Sequence, residues 1–157
     1  MTAKAPSGEP LRTVVLGLGN ILLGDEGVGV RVVEELERSG GLPGVELVDG
    51  GTAGFRLLPY FDGARLVVVV DAAADGAPPG TVTMLEPAFA GAYPAALTPH
   101  DLGLKAILDA LALAEDRPAI VLFTISIAEP ERATLELSPP VARAVLEAAA
   151  RIRRLLT

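Results

Sequence analysis

Apolar and polar positions follow two different periods along the chain, and the alternation between them predicts strands and helices in turn. Short runs of mainly apolar, often β-branched residues are typical of buried strands and occur at residues 13–18, 45–48, 65–70 and 119–127. Apolar residues that recur every three to four positions predict helices at 26–38, 55–61, 104–111 and from 139 onward.

A fifth apolar strand, residues 81–86, follows the strand 65–70 after a loop that has no room for a helix. Parallel neighbours need a crossover of about a dozen residues, so we expect this strand to run antiparallel at an edge. The order of elements predicts an α/β fold, a three-layer sandwich. Its mostly parallel, twisted sheet has about five strands, with helices on both faces. We expect residues 1–12 to be a flexible tail and 13–157 to form a single domain.

Helix starts and loops can also be read from the sequence. Residues 87–99 are rich in Ala, Gly and Pro, which predicts an irregular surface loop. Thr98 and Pro99 are then typical of a helix N-cap and first position, and Ser138 and Pro139 repeat that pattern before the last helix.

The length and composition of the chain exclude several classes of protein. With 157 residues the chain is long enough for one domain with a sizeable core, and its net charge of −7 argues against nucleic acid or anionic membranes as partners. The absence of cysteine excludes disulfides, thiolate catalysis and cysteine-based zinc sites. No apolar run approaches the ~20 residues that span a bilayer, and residues 1–10 lack the apolar stretch of a signal peptide. We therefore expect a cytoplasmic protein.

The most informative segment is a glycine-rich turn, GLGNILLGDEGVG at residues 17–29, which connects the first strand to the first helix. Such turns usually bind phosphate through backbone N–H groups. Asp25 and Glu26, where the helix is predicted to begin, would repel a phosphate and would suit a cation instead. They could also be ordinary first-turn acids that favour the helix dipole.

Ligands of open α/β sheets bind beyond the carboxyl ends of the strands. Four polar residues are expected at that edge: Glu26 after the first strand, Asp49 after the second, Asp71 after the third, and His100 at a helix start. A glutamate, an aspartate and a histidine that converge there would form a mixed oxygen and nitrogen site for a transition metal or zinc. The alternatives are a turn-forming Asp49, a loop-bonding Asp71 and a structural or exposed His100.

A dinucleotide-binding turn is a competing interpretation. Gly17 and Gly19 follow a strand, and Asp49 stands where a ribose-binding acid would. The G-x-G-x-x-G pattern fails at its third glycine, which is Leu22, so this interpretation is the weaker one. A Ser-His-Asp hydrolase is also poorly supported, because no G-x-S-x-G is present.

The motif at 17–29, read as GxGNxLxGDEGxG, resembles the signature of the NiFe-hydrogenase maturation endopeptidases. The resemblance continues through DGGTAG at 49–54, the strand ending at Asp71, PHDLGL at 99–104 and LSP at 137–139. These blocks occur in the family's order and spacing.

The resemblance implies an endopeptidase that removes a C-terminal extension from the precursor of the hydrogenase large subunit after nickel insertion. It also implies that Glu26, Asp71 and His100 bind metal, and that Asp49 corresponds to the family's acid after the second strand. We hypothesise that the three ligands engage nickel carried by the precursor, which another divalent metal could replace in vitro. Asp49 or Asp25 would activate water.

The precursor is the expected partner, with no nucleic acid and no membrane involved, and we expect a monomer. Two alternatives remain open: a non-catalytic metal-binding accessory, and a nucleotide-binding α/β protein.

Overall fold

The computed structural model describes residues 11–86 and 102–157, and the predicted order of elements is confirmed there. The strands are β1 (Arg12–Leu18), β2 (Val45–Gly51), β3 (Ala64–Ala73), β4 (Val82–Leu85) and β5 (Ala119–Ser126). The helices are α1 (Val28–Arg38), α2 (Leu58–Phe61), α3 (Leu102–Ala112) and α4 (Pro139–Leu156). Short 3-10 turns lead into α1 and α2, at Gly24–Gly27 and Gly54–Leu57.

The predictions for residues 1–10, for the loop 87–99 and for the helix start at 98–101 lie outside the described residues. Arg12, predicted to belong to the tail, is the first residue of β1. No helix in the described ranges is both long and apolar enough to cross a membrane.

The five strands form one sheet in the order β2-β1-β3-β5-β4. All neighbouring pairs are parallel except β4, which runs antiparallel to β5 at the edge. The antiparallel edge strand is therefore confirmed. It follows from the short connection after β3, which leaves no length for a helical crossover.

Alternating side chains of the central strands enter two separate hydrophobic cores, one on each face of the sheet. Val68 and Val70 of β3 pack on the face covered by α1 and α4, whereas Val67 and Val69 pack on the face covered by α2 and α3. This period of two in strands buried on both sides produces the predicted three-layer sandwich.

Three of the predicted boundaries that are wrong concern the candidate site. Strand β2 continues to Gly51 and β3 to Ala73, so Asp49 and Asp71 lie inside strands and do not follow them. In β3, backbone pairing with β5 continues past Asp71 to the end of the strand, because ladder hydrogen bonds do not depend on an apolar side chain. Helix α1 begins at Val28, because the residues from Gly24 form a 3-10 turn first.

Candidate functional site

The glycine-rich turn after β1 brings the backbone of Gly19 close to the backbone of Glu26, the buried acid in the same segment. A Cβ on Gly19, whose φ is +130°, would collide with the backbone carbonyl oxygen of Glu26. The amide of Gly19 also donates to the carbonyl oxygen of Gly51 at 2.9 Å, which ties the turn to the end of β2. Glycine is thus required at this position both for its backbone conformation and for the space.

Glu26 lies in the 3-10 turn Gly24–Gly27 and is only 4% exposed. The turn contacts β3, and the following helix is close enough that a Cβ on Gly29 would collide with the carbonyl oxygen of Val70. Burying a carboxylate is costly unless it is paired, hydrogen-bonded or bound to a metal. Its burial here disagrees with the alternative of an ordinary first-turn acid exposed on the surface.

Asp71 is fully buried near the carboxyl end of β3. Its Oδ1 accepts a hydrogen bond of 2.8 Å from the amide of Ala72, and Thr124 of β5 stands opposite it in the ladder. By the alternation of β3, its side chain is on the face covered by α2 and α3, the same face as Val69. The structure therefore brings two buried acids, Glu26 and Asp71, to adjoining elements at one edge of the sheet.

Asp49 is at the same edge but on the other face. It pairs in register with Gly17, whose Cβ would point at the backbone of Gly29 in α1. Asp49 is exposed, and its Oδ1 accepts a hydrogen bond of 3.0 Å from the amide of Gly51, as in a turn-forming aspartate. The alternation of the strands separates it from Asp71, so the two acids are not a pair.

Asp25 is half-buried and faces the start of α4. Its Oδ1 accepts from the amide of Ser138 and its Oδ2 from the hydroxyl of Ser138, both at 2.7 Å. Ser138 holds the predicted N-cap position, with Pro139 as the first helical residue, but its side chain makes no capping bond to its own helix. The sequence does not predict this contact. Its only indication is the block LSP at 137–139, which marks Ser138 as part of a motif without naming a partner.

Backbone pairing next to Asp25 holds residue 134 to the same turn. The amide of Gly24 donates to the carbonyl oxygen of Thr134, and the amide of Thr134 donates to the carbonyl oxygen of Leu22, each at 2.8 Å. An open cavity of about 460 Å³ lies between this turn and the segment that precedes α4. Its lining includes Asp25 and Arg132.

His100, the predicted third ligand, lies outside the described residues. Within 11–86 and 102–157, no three histidine, cysteine, aspartate or glutamate side chains are grouped so that they could hold a metal ion. The described part of the site thus contributes two buried carboxylates.

Comparison with known proteins places this chain in a family. A family model described as hydrogenase maturation protease matches residues 30–155. Hydrogenase 2 maturation protease of Escherichia coli is 38% identical over 134 residues, which cover 83% of this chain and 82% of that protein. The hydrogenase expression/formation protein HupD of Rhodobacter capsulatus is 44% identical over 108 residues, 66% of this chain. Only 50% of HupD is covered, so the chain spans about half the length of that relative.

Solved structures agree with the sequence matches. The hydrogenase maturating endopeptidase HybD from Escherichia coli superposes with a TM-score of 0.81 at 35% identity, covering 93% of this chain and 92% of that one. The NiFe-hydrogenase maturation protease HybD from Thermococcus kodakarensis gives a TM-score of 0.72 at 26% identity, with 94% and 100% covered. The chain belongs to the hydrogenase maturation protease family.

Proposed function

We propose that this protein is an endopeptidase that removes the C-terminal extension of the precursor of a NiFe-hydrogenase large subunit, after nickel has been inserted. Support comes from its family and from the burial of Glu26 and Asp71 on adjoining elements at the ligand-binding edge of the sheet. The burial of these two acids is the observation that carries the proposal, because a metal ion is one of the few partners that stabilise a buried carboxylate.

Nickel enters this proposal as part of the substrate. Glu26, Asp71 and His100 would supply two carboxylates and an imidazole, a donor set that suits a transition metal and is incomplete without ligands from the precursor. Recognition of nickel by this set would restrict cleavage to precursors that already carry the metal. A buried acid at the glycine-rich turn also opposes a phosphate group, which disfavours the nucleotide-binding alternative.

The chemical step is hydrolysis of one peptide bond. A water oxygen adds to the scissile carbonyl carbon, the C–N bond breaks, and the water proton passes to the leaving amine. Of the two acids considered for water activation, Asp49 is the exposed one, and we propose that it orients this water. Asp49 and Asp71 face opposite sides of the sheet, so the extension would lie across its carboxyl edge to approach both.

The decisive experiment incubates the protein with nickel-loaded and with nickel-free precursor and determines product masses by mass spectrometry. We expect shortening of the loaded form only. Shortening of both forms would contradict nickel recognition. Stable binding of the loaded precursor with no shortening would favour the non-catalytic accessory instead.

Glu26→Gln tests the site directly. The amide keeps the shape but removes the negative charge, so we expect cleavage of the loaded precursor to fall by about 100-fold or more, as expected when a reactant is misplaced. His100→Ala should have a comparable effect. Glu37→Gln, the same chemical change at an exposed position on α1, is the matched control and should cleave normally. A Glu26→Gln variant that cleaves as fast as the control would refute the assignment.

A further inference from the structure

We propose that Asp25 is a positioning residue, whose carboxylate fixes the turn that carries Glu26 by binding Ser138 at the start of α4. The inference rests on the proposed function and concerns a different task from water activation. Both carboxylate oxygens of Asp25 are engaged by one residue, through the amide and the hydroxyl of Ser138, at 2.7 Å each. Hydrogen bonds to a carboxylate are shorter and stronger than those between neutral groups.

The geometry of the turn separates the tasks of the two neighbouring acids. In a 3-10 turn there are three residues per turn, so consecutive side chains point about 120° apart. Asp25 and Glu26 are consecutive in such a turn, Gly24–Gly27. Glu26 is buried, whereas Asp25 is half-buried and faces Ser138. One acid is therefore buried, while its neighbour anchors the backbone that holds it.

Backbone pairing between the turn and residue 134 ends one residue before Asp25, and beyond that point the backbone bonds of the turn stay within it, as from the amide of Glu26 to the carbonyl oxygen of Leu23. The bonds between Leu22, Gly24 and Thr134 hold the first half of the turn. Farther on, Arg31 of α1 donates to the carbonyl oxygen of Leu135 at 3.2 Å. Between these two sets of hydrogen bonds, the side chain of Asp25 joins the turn to the start of α4. Loss of the Asp25 side chain should thus leave the fold in place and loosen the backbone next to Glu26.

The chemistry of an amide allows positioning to be separated from proton transfer. In Asp25→Asn, the side-chain oxygen can still accept from the amide of Ser138, and the side-chain nitrogen can donate to the hydroxyl oxygen. The anchor is preserved, but an amide cannot accept a proton as a general base. In Asp25→Ala neither bond to Ser138 can form.

The test measures kcat and KM for nickel-loaded precursor in both variants. We expect Asp25→Asn to stay within about threefold of the wild type and Asp25→Ala to lose about 10- to 100-fold, mainly in kcat, because misplacement of a reacting group by an ångström has effects of this size. Glu37→Gln is again the matched control, since it makes the same acid-to-amide change at an exposed position on α1. It should be unchanged.

Two kinetic outcomes would overturn the proposal. Equal losses in Asp25→Asn and Asp25→Ala would make the residue a proton-transfer group, and full activity in Asp25→Ala would show that the turn needs no anchor. Should Asp25→Ala fail to fold, Ser138→Ala provides the test, because it deletes only the hydroxyl bond. We expect Ser138→Ala to lose activity, and combining it with Asp25→Asn should add little, as for residues that act through one contact.

Amide hydrogen exchange, measured without precursor, tests the role of Asp25 as an anchor independently of the proposed protease function. Exchange over residues 19–27 should rise in Asp25→Ala and stay as in the wild type in Asp25→Asn. Unchanged exchange in Asp25→Ala would overturn the anchor even if the wild type cleaves precursor. The expected exchange pattern with no cleavage by the wild type would instead refute only the proposed function.

Discussion

Replacing Gly19 by alanine tests how closely the turn must approach Glu26. The new Cβ would collide with the carbonyl oxygen of Glu26, a backbone atom that cannot rotate away. Overpacking of this kind costs about 1–3 kcal/mol. Alanine in the left-handed region, where Gly19 has a φ of +130°, adds about 1–2 kcal/mol.

Gly40→Ala separates these two contributions. Gly40 has a φ of +104°, but a Cβ at this position would have no atom within 4 Å apart from its neighbours in the chain, so alanine there should cost only the backbone strain. We expect Gly19→Ala to lower the free energy of unfolding by about 1–3 kcal/mol more than Gly40→Ala does, a difference in Tm of about 2–12 °C for a domain of this size.

Thermal and urea denaturation of both variants, together with cleavage of nickel-loaded precursor, provide the measurement. Displacement of Glu26 should reduce cleavage in Gly19→Ala by about 100-fold even below its Tm, with Gly40→Ala close to the wild type. Equal Tm values and normal cleavage in both variants would refute the close-approach argument.

Two more predictions follow from burial and hydrogen bonding. Leu122 is fully buried in β5, so Leu122→Ala should lower the free energy of unfolding by about 2–5 kcal/mol in urea denaturation. Leu113→Ala, at a 90% exposed position, should change it little. Similar values for both variants would contradict the packing described for β5. In Asp49→Asn, the side-chain oxygen can still accept from the amide of Gly51, but the amide group cannot act as a base. The kcat should therefore fall while the Tm stays unchanged. A normal kcat would mean that Asp49 only forms the turn.

The order of elements and the antiparallel edge could be predicted because both depend on local pattern and connection length. The stripe Val32, Val33 and Leu36 faces a core as its spacing predicts, and so does Ile107 of α3. Strand ends were less predictable. The polar side chain of Asp71 suggests the end of a strand, but the pairing of β3 with β5 decides where that strand stops.

Long-range contacts of the site could not be predicted from spacing. The sequence indicates acids at residues 25, 26, 49 and 71, but the face of the sheet on which each side chain lies depends on strand register. The register places Asp49 and Asp71 on opposite faces. Nothing local to Asp25 indicates that Ser138 is its partner, because the contact depends on where the last helix docks.

The contact between Asp25 and Ser138 joins residues that are 113 positions apart in the chain, and this separation has a consequence for the order of folding. Contacts so distant in sequence form late, because the entropy lost in closing a long loop must first be offset. The chain emerges from its N-terminus during synthesis, so the turn that carries Glu26 is made early and gains its last support only when α4 docks. A nascent chain that lacks its final helix therefore carries the acids of the candidate site without the anchor that holds them in place.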